Sequence, residues 1–216
     1  MVTNSNDEMV TMSRTALQQI ANRLAALCPL VMLAVLLPST ADADTHGEDT
    51  RQLTRQARQA TQELATALKG ELQASLQSRG PIATIGQCNI HAPAIAAKAS
   101  RRHGWKVGRT SLRLRNPDNA PDMWEMRVLE MFEKQQRKGA KVAGLEYGAV
   151  VEKDGRRVFR YMRAIPTQPL CLTCHGQGLD KKLSQRLRQL YPDDNARGYH
   201  AGDLRGAYTV SIPLRD

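Results

Sequence analysis

The run Cys171-Leu172-Thr173-Cys174-His175-Gly176 constrains this chain more than any other stretch. C-x-x-C-H is the attachment spacing of a c-type haem: each thiol can add to one vinyl group of the same porphyrin, and the following histidine is placed to bind the iron from one side. A single motif implies one haem c per chain. Competing readings of such a pair are a zinc knuckle, a structural disulfide and a thioredoxin-like redox pair. Zinc wants four ligands in tetrahedral array, usually as two separated pairs, whereas the remaining thiols are Cys88 and Cys28 with no second C-x-x-C. A thioredoxin-like pair needs a βαβ context near the chain start, and none is legible. The composition agrees with haem. With two Phe, two Trp and five Tyr in 216 residues, the core must be filled by aliphatic side chains and something else, and a porphyrin supplies apolar bulk.

The beginning of the chain predicts export. Leu24 to Leu37 is an apolar run preceded by Arg14 and Arg23 and followed by Pro38-Ser39-Thr40-Ala41-Asp42-Ala43, the pattern of a secretory signal over residues 1–43, cut after Ala43. These 14 residues span about 21 Å as a helix against a hydrocarbon core of about 30 Å, which favours a cleaved signal; the alternative is an anchor in the inner membrane through residues 24–37. Asp7 and Glu8 sit oddly in a signal, and translation from Met9 or Met12 gives a more basic start. Because haem c is attached outside the cytoplasmic membrane, leader and motif support each other. Cys28 leaves with the leader, so the mature chain carries one thiol, Cys88, beyond the pair in the motif. The net charge is +10. Strong basicity often means nucleic acid, but in an exported chain no nucleic acid is expected. The anionic partners to expect are membrane headgroups at the periphery, envelope polymers or acidic redox proteins, with a merely solvated basic surface as the alternative.

Past the leader the pattern is α+β. Leu53, Ala57, Ala60, Leu64, Ala67, Leu68 and Leu72 recur at helical spacing in a Gln/Arg/Ala-rich stretch, an amphipathic helix ended by Gly80-Pro81. It makes an N-terminal helical element over 44–80, expected to pack on its own domain with helix pairing between subunits as the alternative, ahead of a haem domain over 81–216. Pro93 predicts a second helix from near His91 to Gly104, with Cys88 just before it; His91 and His103 read as surface or capping residues. Alternation predicts a strand from Val107 to Leu114, which puts Arg109, Arg113 and Arg115 on one face, in reach of haem propionates. A helix over Pro121 to Lys138 follows, with Trp124, Val128, Leu129, Met131 and Phe132 inward; Met123, Met126 and Met131 are formal sixth ligands but read as core filler. Asp154-Gly155 between two alternating runs predicts a type I′ hairpin pairing Val151 with Val158, Val150 with Phe159 and Glu146 with Arg163. Its second strand leads through Pro166 and Pro169 into the haem motif. A short helix from Asp180 to Leu190, a loop with His200, and a strand with Tyr208, Val210, Ile212 and Leu214 on one face complete the chain.

Ile85-Gly86-Gln87-Cys88 with Ala92-Pro93-Ala94-Ile95-Ala96, Val107 to Pro117, Phe159-Arg160-Tyr161-Met162, the C-x-x-C-H-G run and Gly206-Ala207-Tyr208 together resemble a known family. It is the PAS-like mono-haem c-type cytochrome family first described in cyanobacteria, also found as the haem-binding input domain of bacterial histidine kinases and chemoreceptors. The resemblance covers roughly Thr50 to Leu214. It implies a PAS-like antiparallel sheet flanked by helices, His175 as the proximal iron ligand and Cys88 as the distal one, which gives the odd thiol a role. No transmitter sequence follows before Asp216, so a signalling output is expected to pass through a partner protein. The expected function is electron transfer or redox sensing, since two filled axial positions suit a change of iron charge without rebuilding the coordination sphere. The alternative is a carbon monoxide or nitric oxide sensor in which Cys88 leaves the iron. A peroxidase needs an open iron beside an acid–base group, and none is legible, so no enzyme is expected.

Overall fold

Gly80 divides the first element. In the computed structural model, which describes residues 41–215 with side chains from Asp49 onward, helix α1 (Ala41–His103) is two helical arms joined at this residue, whose φ of 71° and ψ of 173° lie outside helical space. Only glycine takes that conformation without cost, and Pro81 then opens the second arm where a missing N–H is harmless. The predicted leader, with Leu24 to Leu37 and Cys28, lies outside the described residues apart from its last three. No helix among the described residues is long and apolar enough to cross a membrane.

The second arm corrects one expectation: it runs unbroken from residue 81, so Cys88 lies within a helix, not ahead of one, and Pro93 sits inside it. Pro93 forfeits the bond to the Asn89 carbonyl at an exposed position of the helix. The arms are pinned to each other by pairs across the bend. Ser75 and Thr84 share a buried hydroxyl bond of 3.0 Å, His91 Nδ1 meets Glu71 at 2.6 Å, and His103 Nε2 meets Glu63 at 3.1 Å.

The remaining elements are β1 (Lys106–Thr110), α2 (Met123–Arg137), β2 (Glu146–Lys153), β3 (Arg156–Pro166), α3 (Pro169–His175), α4 (Lys181–Leu190) and β4 (Leu204–Pro213). The strands form one antiparallel sheet in the order β1-β4-β3-β2. Strand alternation sends Phe159, Tyr161, Val210 and Ile212 to one face, where Ala57, Ala60 and Leu64 of α1 close over them. Met162, Ala164 and Ala207 go to the other, against Val128, Leu129 and Phe132 of α2. The small residues of the α1 stripe let that helix lie close on the sheet, so it packs on its own domain, and the α+β sheet flanked by helices is as expected.

The hairpin register is as predicted, with Val151 opposite Val158, Val150 opposite Phe159 and Glu146 opposite Arg163, and Asp154 and Gly155 at φ 53° and 73°. The inferred charge pair is not what Glu146 makes. Its carboxylate takes bonds from Arg58 Nε at 2.9 Å and 3.0 Å and from the Tyr161 hydroxyl at 2.6 Å, while Arg163 donates to Gln62 Oε1 at 3.1 Å. A helix lying over the strand offers a guanidinium fork, and a bidentate partner wins over a cross-strand neighbour. α2 begins at Met123, two residues later than expected, because Asp122 caps it with bonds from the amides of Trp124 and Glu125.

The strand predicted to reach Leu114 stops at Thr110. The Ser111 hydroxyl donates to the carbonyls of Arg113 and Arg205 and accepts from the Arg113 amide at 3.2 Å. This local ring turns the chain out of the sheet. Arg109, Arg113 and Arg115 therefore do not share a strand face.

Candidate haem cleft

α3 follows β3 directly, with Pro169 at its start and Gln168 before it, so the end of the sheet delivers Cys171, Cys174 and His175 to one place. These three side chains line a cleft of about 690 Å³, within the size range of small-molecule and cofactor sites. Its other walls are both arms of α1, the segment from Lys106 to Asn116, and β4. Ile85, Leu72, Ile95 and Leu114 contribute apolar surface; Arg109, Arg205 and Tyr208 contribute polar groups.

His175 is preset for one job. Its Nδ1 lies 2.7 Å from the Ala196 carbonyl, which assigns the proton to Nδ1 and leaves Nε2 with a free lone pair for a metal. Burial, with Arg205 and Arg115 nearby, holds the imidazole pKa well below its usual value and so keeps the ring neutral. The Tyr199 ring stands edge-on to it at 83° and 6.2 Å. Cys174 is half-buried against Leu183, Leu187 and Tyr191, anchoring α4 to the motif, and burial pushes its thiol up while Arg115 opposes.

Cys88 enters the same cleft from the second arm of α1, within electrostatic reach of Cys174. Burial raises its thiol pKa; Arg109 and Arg115 pull the other way and Glu71 adds to the rise. Folding thus gathers all three thiols of the described residues and one histidine around a single apolar space, although 83 residues separate Cys88 from Cys171.

The three arginines grouped in the sequence part company. Arg109 lines the cleft with its charge desolvated and no carboxylate partner, its electrostatic neighbours being Tyr208, Cys88 and Tyr191. Arg113 is on the rim: it stacks on the Tyr199 ring at 3.7 Å and donates to the Arg197 carbonyl. Arg115 is committed to Asp194, at 3.2 Å from Nε. Arg205, which sequence reasoning missed, joins Arg109 in the cleft. It lines the cleft, its charge is desolvated, and it donates to the Ser111 hydroxyl at 3.2 Å with no carboxylate partner. Nothing in its local sequence distinguishes it from the chain's other arginines. Met123 is 65% exposed, Met131 packs in the α2 core, and His200 turns to Asp203 at 3.4 Å; none of the three lines the cleft.

The donor set fits a c-type haem. Two thiols and an imidazole on one turn of helix, a third thiol on another wall, apolar sides and two guanidiniums free for carboxylates are what that group needs.

A PAS-like α+β domain with a thiol–imidazole cleft at the end of its sheet is the class that fold and site define. The chain belongs to the Tll0287-like family, whose match extends over residues 42–213. Among solved structures it is similar to the crystal structure of the cyanobacterial heme-protein Tll0287, at 24% identity and a TM-score of 0.58, covering 76% of this chain and 97% of that one. That likeness is one of fold. A comparison with curated proteins gave no match.

Proposed function

We propose that this chain is an exported mono-haem c-type cytochrome that acts by changing the redox state of its iron, in electron transfer or redox sensing. The observation that carries the reading is the convergence of Cys171, Cys174, His175 and Cys88 on one apolar cleft that also holds Arg109 and Arg205, neither of them paired with a carboxylate. In this reading Cys171 and Cys174 would hold the porphyrin through thioethers, His175 and Cys88 would bind its iron, and Arg109 and Arg205 would meet its carboxylates. The haem, when bound, supplies one-electron chemistry; the protein supplies ligands, a dry cleft and fixed positive charge. The similarity to a heme-protein of known structure supports the cofactor.

The test is retention of colour. Denatured protein from an exporting host should keep one haem per chain through acidic acetone extraction and give the reduced pyridine spectrum of a haem with two thioethers; loss of colour to the acetone refutes the reading. The same material tests export, because its mass should place the mature start at or near Asp44. An intact Leu24 to Leu37 segment in the membrane fraction would establish the anchor instead. The second reading is gas sensing, in which Cys88 would leave the iron, and carbon monoxide binding by the reduced protein separates the two.

A further inference from the structure

The Asp194 side chain is 1% exposed, and the bonds it accepts belong to one circuit around His175. Arg115 reaches it with Nε and Nη2, each at 3.2 Å, Arg197 Nε donates to it at 2.8 Å, and the Ala196 amide at 3.0 Å. The same Arg115 Nη2 donates to the Cys174 carbonyl at 2.6 Å and to the Ala196 carbonyl at 3.3 Å. Ala196 is fully buried, and its carbonyl is the group on His175 Nδ1. The backbone fixes the loop on both sides, with the Asn195 amide on the Leu114 carbonyl at 2.7 Å and the Tyr199 amide on the His175 carbonyl at 3.0 Å.

Taking His175 as the iron ligand of the proposed function, we infer that Arg115 and Asp194 are positioning residues which hold the Ala196 carbonyl on His175 Nδ1 and so set how strongly the imidazole donates to the iron. A carbonyl fixed on one ring nitrogen raises the basicity of the other and fixes the ring's orientation. The distances separate two roles for Arg115. The imidazole bond to Ala196 O is 2.7 Å and the guanidinium contact 3.3 Å, so the imidazole is the principal donor and Arg115 places the carbonyl more than it polarises it. A planar fork is required, because one side chain must meet a carboxylate and two carbonyls at once, which a lysine ammonium does not span. Without it the carbonyl is no longer held, the imidazole donates less, and ferric iron loses stabilisation relative to ferrous.

The test is Arg115→Lys in the full haem-loaded chain, which keeps the charge and removes the fork, with the exposed α4 variant Arg188→Lys as control. At a fixed electrode potential the ferrous-to-ferric ratio should rise about three- to tenfold, the upper figure being about 59 mV for a one-electron couple. The low-spin ferric EPR g values should shift and broaden, haem per chain should stay constant, and the control should match wild type. An Arg115→Lys protein with wild-type potential and g values overturns the inference. Should that variant fail to fold, Asp194→Asn takes its place with the EPR spectrum deciding, since loss of the carboxylate also moves the potential through space; unmoved g values again overturn it. A wild-type protein with no imidazole on its iron refutes the function and this inference together, whereas a normal wild type beside an unmoved variant refutes only the inference.

Discussion

Arg160→Met removes a buried cation from the α2 face of the sheet. Arg160 sits in the middle of β3 with its side chain 5% exposed, Nη1 on Asp122 at 2.8 Å, Nη2 on Glu125 at 3.0 Å, and its guanidinium over the Trp124 ring at 4.5 Å. Its two partners differ in consequence. Asp122 is 41% exposed and turns to water, so that pair contributes no more than about 1 kcal/mol. Glu125 is 9% exposed and keeps the Thr209 hydroxyl at 2.7 Å and the Asp122 amide at 3.0 Å, but no cation. A buried charge stripped of its partner costs about 3–5 kcal/mol. Methionine keeps most of the packing on Trp124, so the loss should be about 4 kcal/mol, or about 10 °C in Tm for a domain of this size. Urea unfolding of the mature chain reads it as a fall in the midpoint at unchanged m. The double variant Arg160→Met/Glu125→Leu should recover more than half of the loss, because a buried pair replaced by apolar groups is often neutral. A single-variant cost under about 1 kcal/mol, or a double variant no more stable than the single, refutes the account of this network.

Three further outcomes follow from the geometry. Gly206→Ala places a Cβ 2.4 Å from the Thr110 carbonyl oxygen at a φ of 153°; strain and overpacking together should cost about 2–4 kcal/mol by urea unfolding. The Glu146 carboxyl is held below its ordinary range by the Arg58 bond first, with burial opposing and Tyr161 assisting. A depressed folded pKa gives stability that is present above the unfolded value of about 4.3 and lost as pH falls through the folded one. Wild type should therefore lose stability with acid below about pH 5 more steeply than Glu146→Gln, and equal slopes would contradict the pairing. Cys88→Ser should convert a low-spin ferric spectrum to a high-spin or water-bound one and raise the potential, since a thiolate stabilises ferric iron; an unchanged spectrum removes Cys88 from the iron.

The local parts of this protein were legible from residue order. Asp154-Gly155 fixed the hairpin register because turn geometry and strand alternation leave one pairing that buries the apolar side chains. Gly80-Pro81 marked the end of the first arm of α1, and C-x-x-C-H marked the residues that line the cleft, because each signal is confined to a few neighbouring residues. Side-chain partners were not legible at that range. Glu146 was assigned to its cross-strand neighbour and instead meets Arg58, 88 residues away; Arg115 was grouped with Arg109 and Arg113 on one strand face, and the fold turns it to Asp194, 79 residues away. The Ser111 hydroxyl ended β1 because Arg205 brought its carbonyl alongside, at 94 residues' separation. A short-range pattern fixes which face of an element is apolar. Which arginine is left with an empty hand beside the cleft depends on where every carboxylate of the chain has already been taken, and only the packed structure decides that.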